Sequence, residues 1–327
     1  MQHMQPATAH TLSPRAALDR HRIAVLIPCF NEASTIAAVV ADFRAALPAA
    51  DIYVYDNNST DGTAQAASAS GAFVARETRQ GKGHVVRRMF RDIDADIFVL
   101  VDGDATYDAP SVGRLIAELS EAGADMVVGA RVSHEAAAYR RGHQFGNRWL
   151  TAFVATVFGK KLRDMLSGYR VLSRRFVKSF PALSGGFEIE TELTVHALEL
   201  DLPISEIDTP YYARPLGSLS KLNTWRDGAR ILLTIVRLYR SERPFAFFSI
   251  LAALLAALSV VLAIPVIVTY VETGLVPRLP TAVLSTGLMI LAFMAQAAGF
   301  VLDTVTRGRR EMKLLAYLNQ PPPRRVE

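Results

Sequence analysis

Two long stretches without a single charge, Phe245 to Val271 and Leu279 to Leu302, limit most strongly what this chain can become. At about 1.5 Å of rise per residue, each is long enough as a helix to cross a hydrocarbon layer of about 30 Å. The first has length to spare for tilt, and Pro265 offers a place for a kink. A buried helical hairpin in a soluble core is the alternative, but a chain of 327 residues seldom needs two such stretches. Half of the residues are apolar, and the excess over an ordinary soluble chain is concentrated here.

The flanks give these stretches a direction. Arg237, Arg240 and Arg243 precede the first, and Arg307, Arg309, Arg310 and Lys313 follow the second, whereas the connecting "VETGLVPRLP" carries one acid and one base. Positive flanks stay in the cytoplasm, so both termini and the large N-terminal part are expected there, on an inner or plasma membrane crossed twice. The expected division is a flexible tail over 1–21, a cytoplasmic α/β domain over 22–223, an interfacial helix over 224–243, a hairpin over 244–303 (spans about 245–270 and 280–302) and a cytoplasmic tail over 304–327. In "WRDGARILLTIVRLYRSER", Ile231, Leu232, Ile235, Val236, Leu238 and Tyr239 alternate with arginines, which suits a helix lying in the membrane interface or a plain core-packing helix. The first 21 residues lack the apolar core of a signal peptide.

Net charge is +5, and part of it is the arginines beside the spans. That suits an anionic leaflet or a phosphorylated lipid; no basic stripe with interleaved aromatics points to nucleic acid. Cys29 is the only cysteine, which excludes a disulfide within the chain and a thiolate metal site. His84, His134, His143 and His196 have no ligand spacing.

From residue 22 onward, apolar strand-like runs alternate with helical spacing: "RIAVLIP", "DIYVYD", "AFVAR", "DIFVLVD" and "DMVVGAR", with helical segments between them. Such alternation gives a mostly parallel sheet covered on both faces, with ligands at the carboxyl ends of its strands. Those ends carry "PCFNE", "DNNSTDGT", "DGDATYD" and "GAR". Asp102 and Asp104, spaced i and i+2, project from one face beyond an apolar strand, either as a solvated turn or as a site for a hard cation and a diphosphate. "DNNSTDGT" places Asp56, Asn58 and hydroxyls at a strand end, fit to bind a base or ribose, or to form an Asx turn with Ser59 or Thr60 capping the next helix. "RQGKGHVVRRM" has the composition of a phosphate loop without GxxxxGK[ST], and no GxGxxG follows a strand, which removes the usual NTPase and dinucleotide readings. Lys82 there is either a diphosphate contact or a surface lysine. Arg131, Arg148, Arg170 and Lys221 suggest a second anion site facing the bilayer.

Taken in order, these segments resemble the family-2 glycosyltransferases with a GT-A fold, and among them the polyprenyl-phosphate (dolichyl- or undecaprenyl-phosphate) sugar transferases. "IPCFNE", "YDNNSTDGT", "VDGDATYDAP", "GAR", "DMLSGYR" and "RPLGSLSKLNTWRDG" match the motifs of that family in its order, and the terminal hairpin resembles that of some members. The resemblance implies that Pro28, Asn31, Glu32 and Asp56 line a nucleotide pocket with Asp102, and that Asp104 is the principal ligand of Mg²⁺ or Mn²⁺. It implies that Arg131, Arg148, Ser167 and Arg170 approach the acceptor phosphate or the diphosphate, with Ser220 and Lys221 closing the site. Many members carry Gln where Thr106 stands, so water would replace a third protein ligand. Some relatives assemble through their membrane helices, which implies a possible homo-oligomer.

The implied reaction moves a hexose-type sugar from a UDP- or GDP-linked donor to a polyprenyl phosphate. A phosphate monoester has a second pKa of about 6 and needs no general base, so in-line attack with inversion is expected. Glu188, Glu190 and Glu192 either contact the sugar or serve the positive end of a helix. The competing readings are transfer to a lipid alcohol such as diacylglycerol, which would need a catalytic base, and a non-catalytic membrane scaffold.

Overall fold

The computed structural model describes residues 21–132, 162–186, 188–214, 236–237 and 239–321. The chain divides into two bodies, one of Met1–Asp227 with Lys313–Glu327 and one of Gly228–Met312. Arg148, Ser220, Lys221 and most of the expected interfacial helix lie outside the described residues.

In the first body the elements alternate as the sequence pattern requires: β1 (Ile23–Cys29), α1 (Ile36–Ala46), β2 (Asp51–Asp56), α2 (Thr63–Ala69), β3 (Phe73–Arg76), α3 (Lys82–Asp92), β4 (Ile97–Leu100), α4 (Val112–Glu121) and β5 (Met126–Val132). Then follow β6 (Arg170–Ser173), α5 (Arg174–Ser179), α6 (Ile189–Glu199) and β7 (Ile204–Pro210). The seven strands are ordered β3-β2-β1-β4-β6-β5-β7. β6 runs antiparallel to both β4 and β5, and the other pairings are parallel.

Every residue of β1 is buried, because both faces of the sheet are covered. Val25 and Ile27 pack with Val39, Phe43, Leu115 and Leu119 of α1 and α4 on one face. Ala24 and Leu26 pack with Val85, Met89, Phe176 and Leu193 of α3, α5 and α6 on the other. The strand period of two thus splits one apolar run between two cores. It also leaves the carboxyl ends of β1, β2 and β4 side by side, since β1 pairs with both neighbours.

The second body holds most of two helices, α7 (Pro244–Thr273, 30 residues) and α8 (Leu279–Leu318, 40 residues), each long and apolar enough to cross a membrane. Gly274, at φ 69°, ends α7 in the left-handed conformation that a side chain would disfavour, and its N–H donates to the Tyr270 carbonyl at 2.8 Å. The helices meet through the Ser259 hydroxyl, which donates to the Ser285 carbonyl at 2.7 Å, and through the Phe245 and Phe300 rings, 5.0 Å apart. Large apolar side chains remain outside: Leu254 is 65 % exposed, Val271 78 % and Phe293 71 %. A core helix in water would bury such residues; helices facing lipid would not. The charged stretch after Leu302 continues α8, where Arg307 pairs with Asp303 one turn earlier at 2.9 Å. Its last residues belong to the first body, where Lys313 pairs with Glu199 at 2.6 Å and the Tyr317 hydroxyl donates to the buried Asp125 at 2.8 Å.

Candidate active site

Three loops are laced together at the carboxyl ends of β1, β2 and β4. After β1, the Asn31 N–H donates to the Ser59 hydroxyl at 2.8 Å, and the Asn31 carboxamide oxygen accepts from the Thr60 N–H at 2.9 Å. The Glu32 N–H donates to Thr63 Oγ1 at 2.9 Å. Asp56, buried at the end of β2, accepts from the Ser59 N–H, which is the Asx turn that the sequence offers. The capping of α2 differs from expectation. Neither Ser59 nor Thr60 caps it; Asp61 instead accepts from the Thr63 N–H at 3.1 Å, because Gly62 carries the left-handed turn that sets the helix start.

Asn57, which the sequence reading passed over, ties this loop to the next: its amide donates to the carbonyls of Glu77 and Arg79, and its oxygen accepts the Gly81 N–H at 2.6 Å. Asn58 does the same through Thr78 at 2.8 Å. Asn31, Asn58 and Ala105 all have φ between 53° and 65°, so each of the three loops carries one non-glycine residue in the left-handed region. Asn tolerates that region; for Ala it costs about 1 kcal/mol, a strain of the kind held at working sites.

The "QGKGH" segment is a packing device. A side chain at Gly83 would collide with the Ser184 carbonyl, and the Gly83 N–H donates to the Gly186 carbonyl at 3.1 Å, so the first turn of α3 lies against the loop entering α6. That contact brings the Lys82 ammonium between the carboxylates of Asp102 and Glu190. Burial alone would favour a neutral amine, but the two carboxylates outweigh it, and the Lys82 pKa is raised.

Asp104 is 4 % exposed. Its Oδ1 accepts from the Thr106 hydroxyl at 2.6 Å, and its Oδ2 meets the Arg214 guanidinium at 2.5 Å. Burial and the neighbouring Asp102 push its carboxyl pKa up, and Arg214 and Thr106 do not cancel that push. Beneath the rim, burial first and then the charges of Glu32, Asp102, Asp56 and Asp104 raise the Cys29 thiol well above its ordinary value. The rim is therefore an anionic, oxygen-lined place in which a cation is favoured. The fit is to a hard divalent ion shared with phosphate oxygens. Among the described residues no group of three or more His, Cys, Asp or Glu assembles into a closed metal cage.

Chains with this sequence pattern and sheet are found elsewhere. The description "Glycosyl transferase family 2" matches residues 24–180. The glycosyltransferase AglJ of Haloferax volcanii is 36 % identical over 228 residues, covering 69 % of this chain and 75 % of that protein. The chain belongs to glycosyltransferase family 2. A dolichyl-phosphate hexose transferase of the same organism is 26 % identical over 221 residues, covering 68 % of this chain and 95 % of that one. Among solved structures, Mycobacterium tuberculosis glucosyl-3-phosphoglycerate synthase with Mn²⁺, UDP-glucose and glycerol 3-phosphate superposes with a TM-score of 0.56 at 25 % identity, over 72 % of this chain and 85 % of that one. The GT-A architecture expected from the motifs is thus present, with two long apolar helices after it.

Within this family-2 glycosyltransferase, Pro28, Asn31, Glu32, Asp56, Asn58, Lys82, Asp102 and Asp104 come together at one rim. Of the arginines expected near an acceptor phosphate, Arg131 and Arg170 each have partners within the chain. Arg131 forms a two-pronged pair with Asp164, at 2.7 and 2.8 Å, and stacks over Tyr211. Arg170 is fully buried: its guanidinium donates to the carbonyls of Ser167 and Met165 and to the Thr194 hydroxyl, and burial pushes its pKa down to about 10. Ser167 is buried too, with its hydroxyl on the Gly129 carbonyl at 2.6 Å. These three hold the loop entering β6 against β5. Of the three glutamates, Glu192 accepts from the N–H groups of Leu183 and Ser184, both at 2.8 Å, while Glu190 serves Lys82.

Proposed function

We propose that this glycosyltransferase is a membrane-bound, inverting enzyme that transfers a hexose-type sugar from a UDP- or GDP-linked donor to the phosphate of a polyprenyl phosphate. The observation that carries the reading is that the rim acids Asp102, Asp104 and Glu190 are each paired with a cation in a chain that also carries two membrane-length helices. An alcohol acceptor would need one of those carboxylates as a base, and a carboxylate engaged by Lys82 or Arg214 is a poor one. A lipid phosphate is already a dianion at neutral pH and needs only to be positioned.

In this reading the nucleotide lies across the loops after β1 and β2, near Pro28, Asn31, Glu32, Asp56 and Asn58. Asp104, with Asp102, would hold Mg²⁺ or Mn²⁺, which when bound supplies positive charge to the diphosphate. Lys82 offers a second, protein-borne charge to the departing group. An oxygen of the acceptor phosphate attacks the anomeric carbon from the face opposite the leaving group, the bond to the donor phosphate breaks, and the nucleoside diphosphate leaves with the bonding pair. Arg148, Ser220 and Lys221 are assigned to the acceptor side, with Arg131, Ser167 and Arg170 shaping its wall. Both termini and the catalytic domain would face the cytoplasm, a topology supported by the arginines beside the hairpin.

The test is to mix detergent-purified protein with a polyprenyl phosphate, radiolabelled UDP- and GDP-sugars and Mg²⁺ or Mn²⁺. Labelled lipid that survives mild base but releases sugar in mild acid is expected. Transfer to diacylglycerol instead, or no transfer with any common donor, would overturn the reading.

A further inference from the structure

The Arg214 guanidinium sits on the oxygen of Asp104 that a divalent ion would need. Asp104 Oδ1 is already taken by the Thr106 hydroxyl and, at 3.3 Å, by the Thr106 N–H; Oδ2 carries Arg214 at 2.5 Å. The contact is built by the backbone. Tyr107 and Tyr211 form an antiparallel bridge, the Tyr212 N–H donates to the Thr106 carbonyl at 2.9 Å, and the Tyr211 N–H donates to the Val132 carbonyl at 3.0 Å. The Tyr212 hydroxyl adds a bond to Asp108 at 3.1 Å. The residues that carry Asp104 out of β4 therefore also fix the segment that delivers Arg214.

The charges explain why such a residue would be kept. Asp104 is buried and the neighbouring Asp102 half-buried, and the chain supplies two cations to them: Lys82, which Asp102 shares with Glu190, and Arg214 on Asp104. Without a metal, three carboxylates face two side-chain cations, which leaves one negative charge over. A divalent ion approaching Asp104 Oδ2 meets a guanidinium cation already held there at 2.5 Å, so the two compete for the same oxygen and repel each other by charge. With the ion present and both side-chain cations nearby, positive charge exceeds negative until a diphosphate arrives.

We propose that Arg214 is the internal cation of the Asp104 site, that it competes with the divalent ion for Asp104 Oδ2, and that the nucleotide diphosphate tips the exchange. This rests on the reading that Asp104 holds the metal. Two consequences follow from linkage. Metal binding by the nucleotide-free protein is weakened by Arg214, and metal and nucleotide each strengthen the binding of the other.

Mn²⁺ titrations of the full chain in detergent, with free Mn²⁺ read by electron paramagnetic resonance with and without UDP, separate the possibilities. Arg214→Gln should bind Mn²⁺ about three- to tenfold more tightly than the parent without UDP, and UDP should improve its affinity less. Arg214→Lys, which keeps the charge, should stay near the parent. Should Arg214→Gln fail to fold, Tyr212→Phe, which loosens the same segment, must move the Mn²⁺ affinity the same way by a smaller factor. Unchanged or weaker Mn²⁺ binding in Arg214→Gln, or in Tyr212→Phe where it stands in, overturns the role of Arg214. Asp104→Asn distinguishes that failure from a deeper one: it should abolish Mn²⁺ binding, and if it does not, the metal assignment itself is wrong and the role of Arg214 falls with it.

Discussion

Glu190, in the first turn of α6, closes on the ammonium of Lys82, in the first turn of α3, across 108 residues of sequence. The same ammonium reaches Asp102, so a single lysine links the helix α6 to the end of β4. If Lys82 supplies charge to the leaving diphosphate, Lys82→Ala should lower kcat/KM about 100-fold, and Lys82→Arg should recover part of the loss. Glu190 then acts by holding Lys82. Glu190→Gln should cost about tenfold or less and leave the pH dependence of kcat in place, whereas loss of a general base would cost far more and remove one limb of the profile. A collapse of activity in Glu190→Gln would show that the carboxylate itself takes a proton.

Gly168 controls where Asp102 lies. A Cβ added at Gly168 would meet Asp102 Oδ2 at 2.5 Å, and the Gly168 N–H donates to the Tyr107 hydroxyl at 2.8 Å. Its φ lies outside the left-handed region, so alanine is accepted by the backbone and acts only by displacing the carboxylate. Gly168→Ala is expected to reduce kcat/KM by about 10- to 100-fold, with the unfolding midpoint within a few degrees of the parent. Normal kinetics for this variant would mean that the position of Asp102 is not critical.

The sheet and its site were unequally legible in the sequence. Strands such as "IAVLIPC" and "IFVL" announce themselves because both faces are buried, and the acids after β4 follow from their spacing beyond an apolar run. The motif around Lys82 was visible, but its meaning was not: Gly81 and Gly83 matter because the carbonyls of residues 184 and 185 approach them, a contact made across the fold. Asn57 and Arg214 were missed for a related reason. Asn57 has no local signal that sets it apart from the other polar residues of "DNNSTDGT", and Arg214 opens "RPLGSLSK", in which Ser220 and Lys221 carry the motif. The arginines of "GAR" and "SGYR" read as members of an anion site; their partners within the fold, Asp164 for Arg131 and the Ser167 and Met165 carbonyls and Thr194 hydroxyl for Arg170, are not visible in local pattern. Local pattern identifies elements and strand ends; which charges neutralise one another is decided by tertiary distance.

The Arg131–Asp164 pair is largely removed from water, with side chains 17 % and 9 % exposed. Removing one member leaves the other charge poorly compensated, which costs more than the pair itself contributes. Asp164→Ala should destabilise the protein by about 2–3 kcal/mol, measured by denaturant unfolding of the detergent-solubilised chain. The double variant Arg131→Met, Asp164→Leu should recover much of that loss. If the double variant is no more stable than Asp164→Ala, the pair is making a specific contribution beyond charge compensation.

His196 provides a pH signature of the α6 core. Its Nε2 lies 3.1 Å from the Ser179 hydroxyl, its Nδ1 is buried without a hydrogen-bond partner, and the rings of Phe176 and Phe180 flank it. Burial, reinforced by the charge of Lys313, pushes its pKa down to about 3. In the unfolded chain the imidazole titrates near its ordinary value of about 6.5. Below that pH the unfolded state therefore binds a proton that the folded state refuses, and stability falls as pH is lowered from about 6.5 toward 3. The slope for this one group approaches 1.4 kcal/mol per pH unit. Carboxylates titrate over part of the same range, so the informative quantity is a difference. His196→Gln removes the imidazole proton and leaves the carboxylates, and between pH 6 and pH 4.5 the unfolding free energy of the parent should fall more steeply than that of the variant. Parallel pH dependences would mean that His196 takes up its proton in the folded protein, in which case its surroundings are wetter than the packing of Phe176 and Phe180 implies.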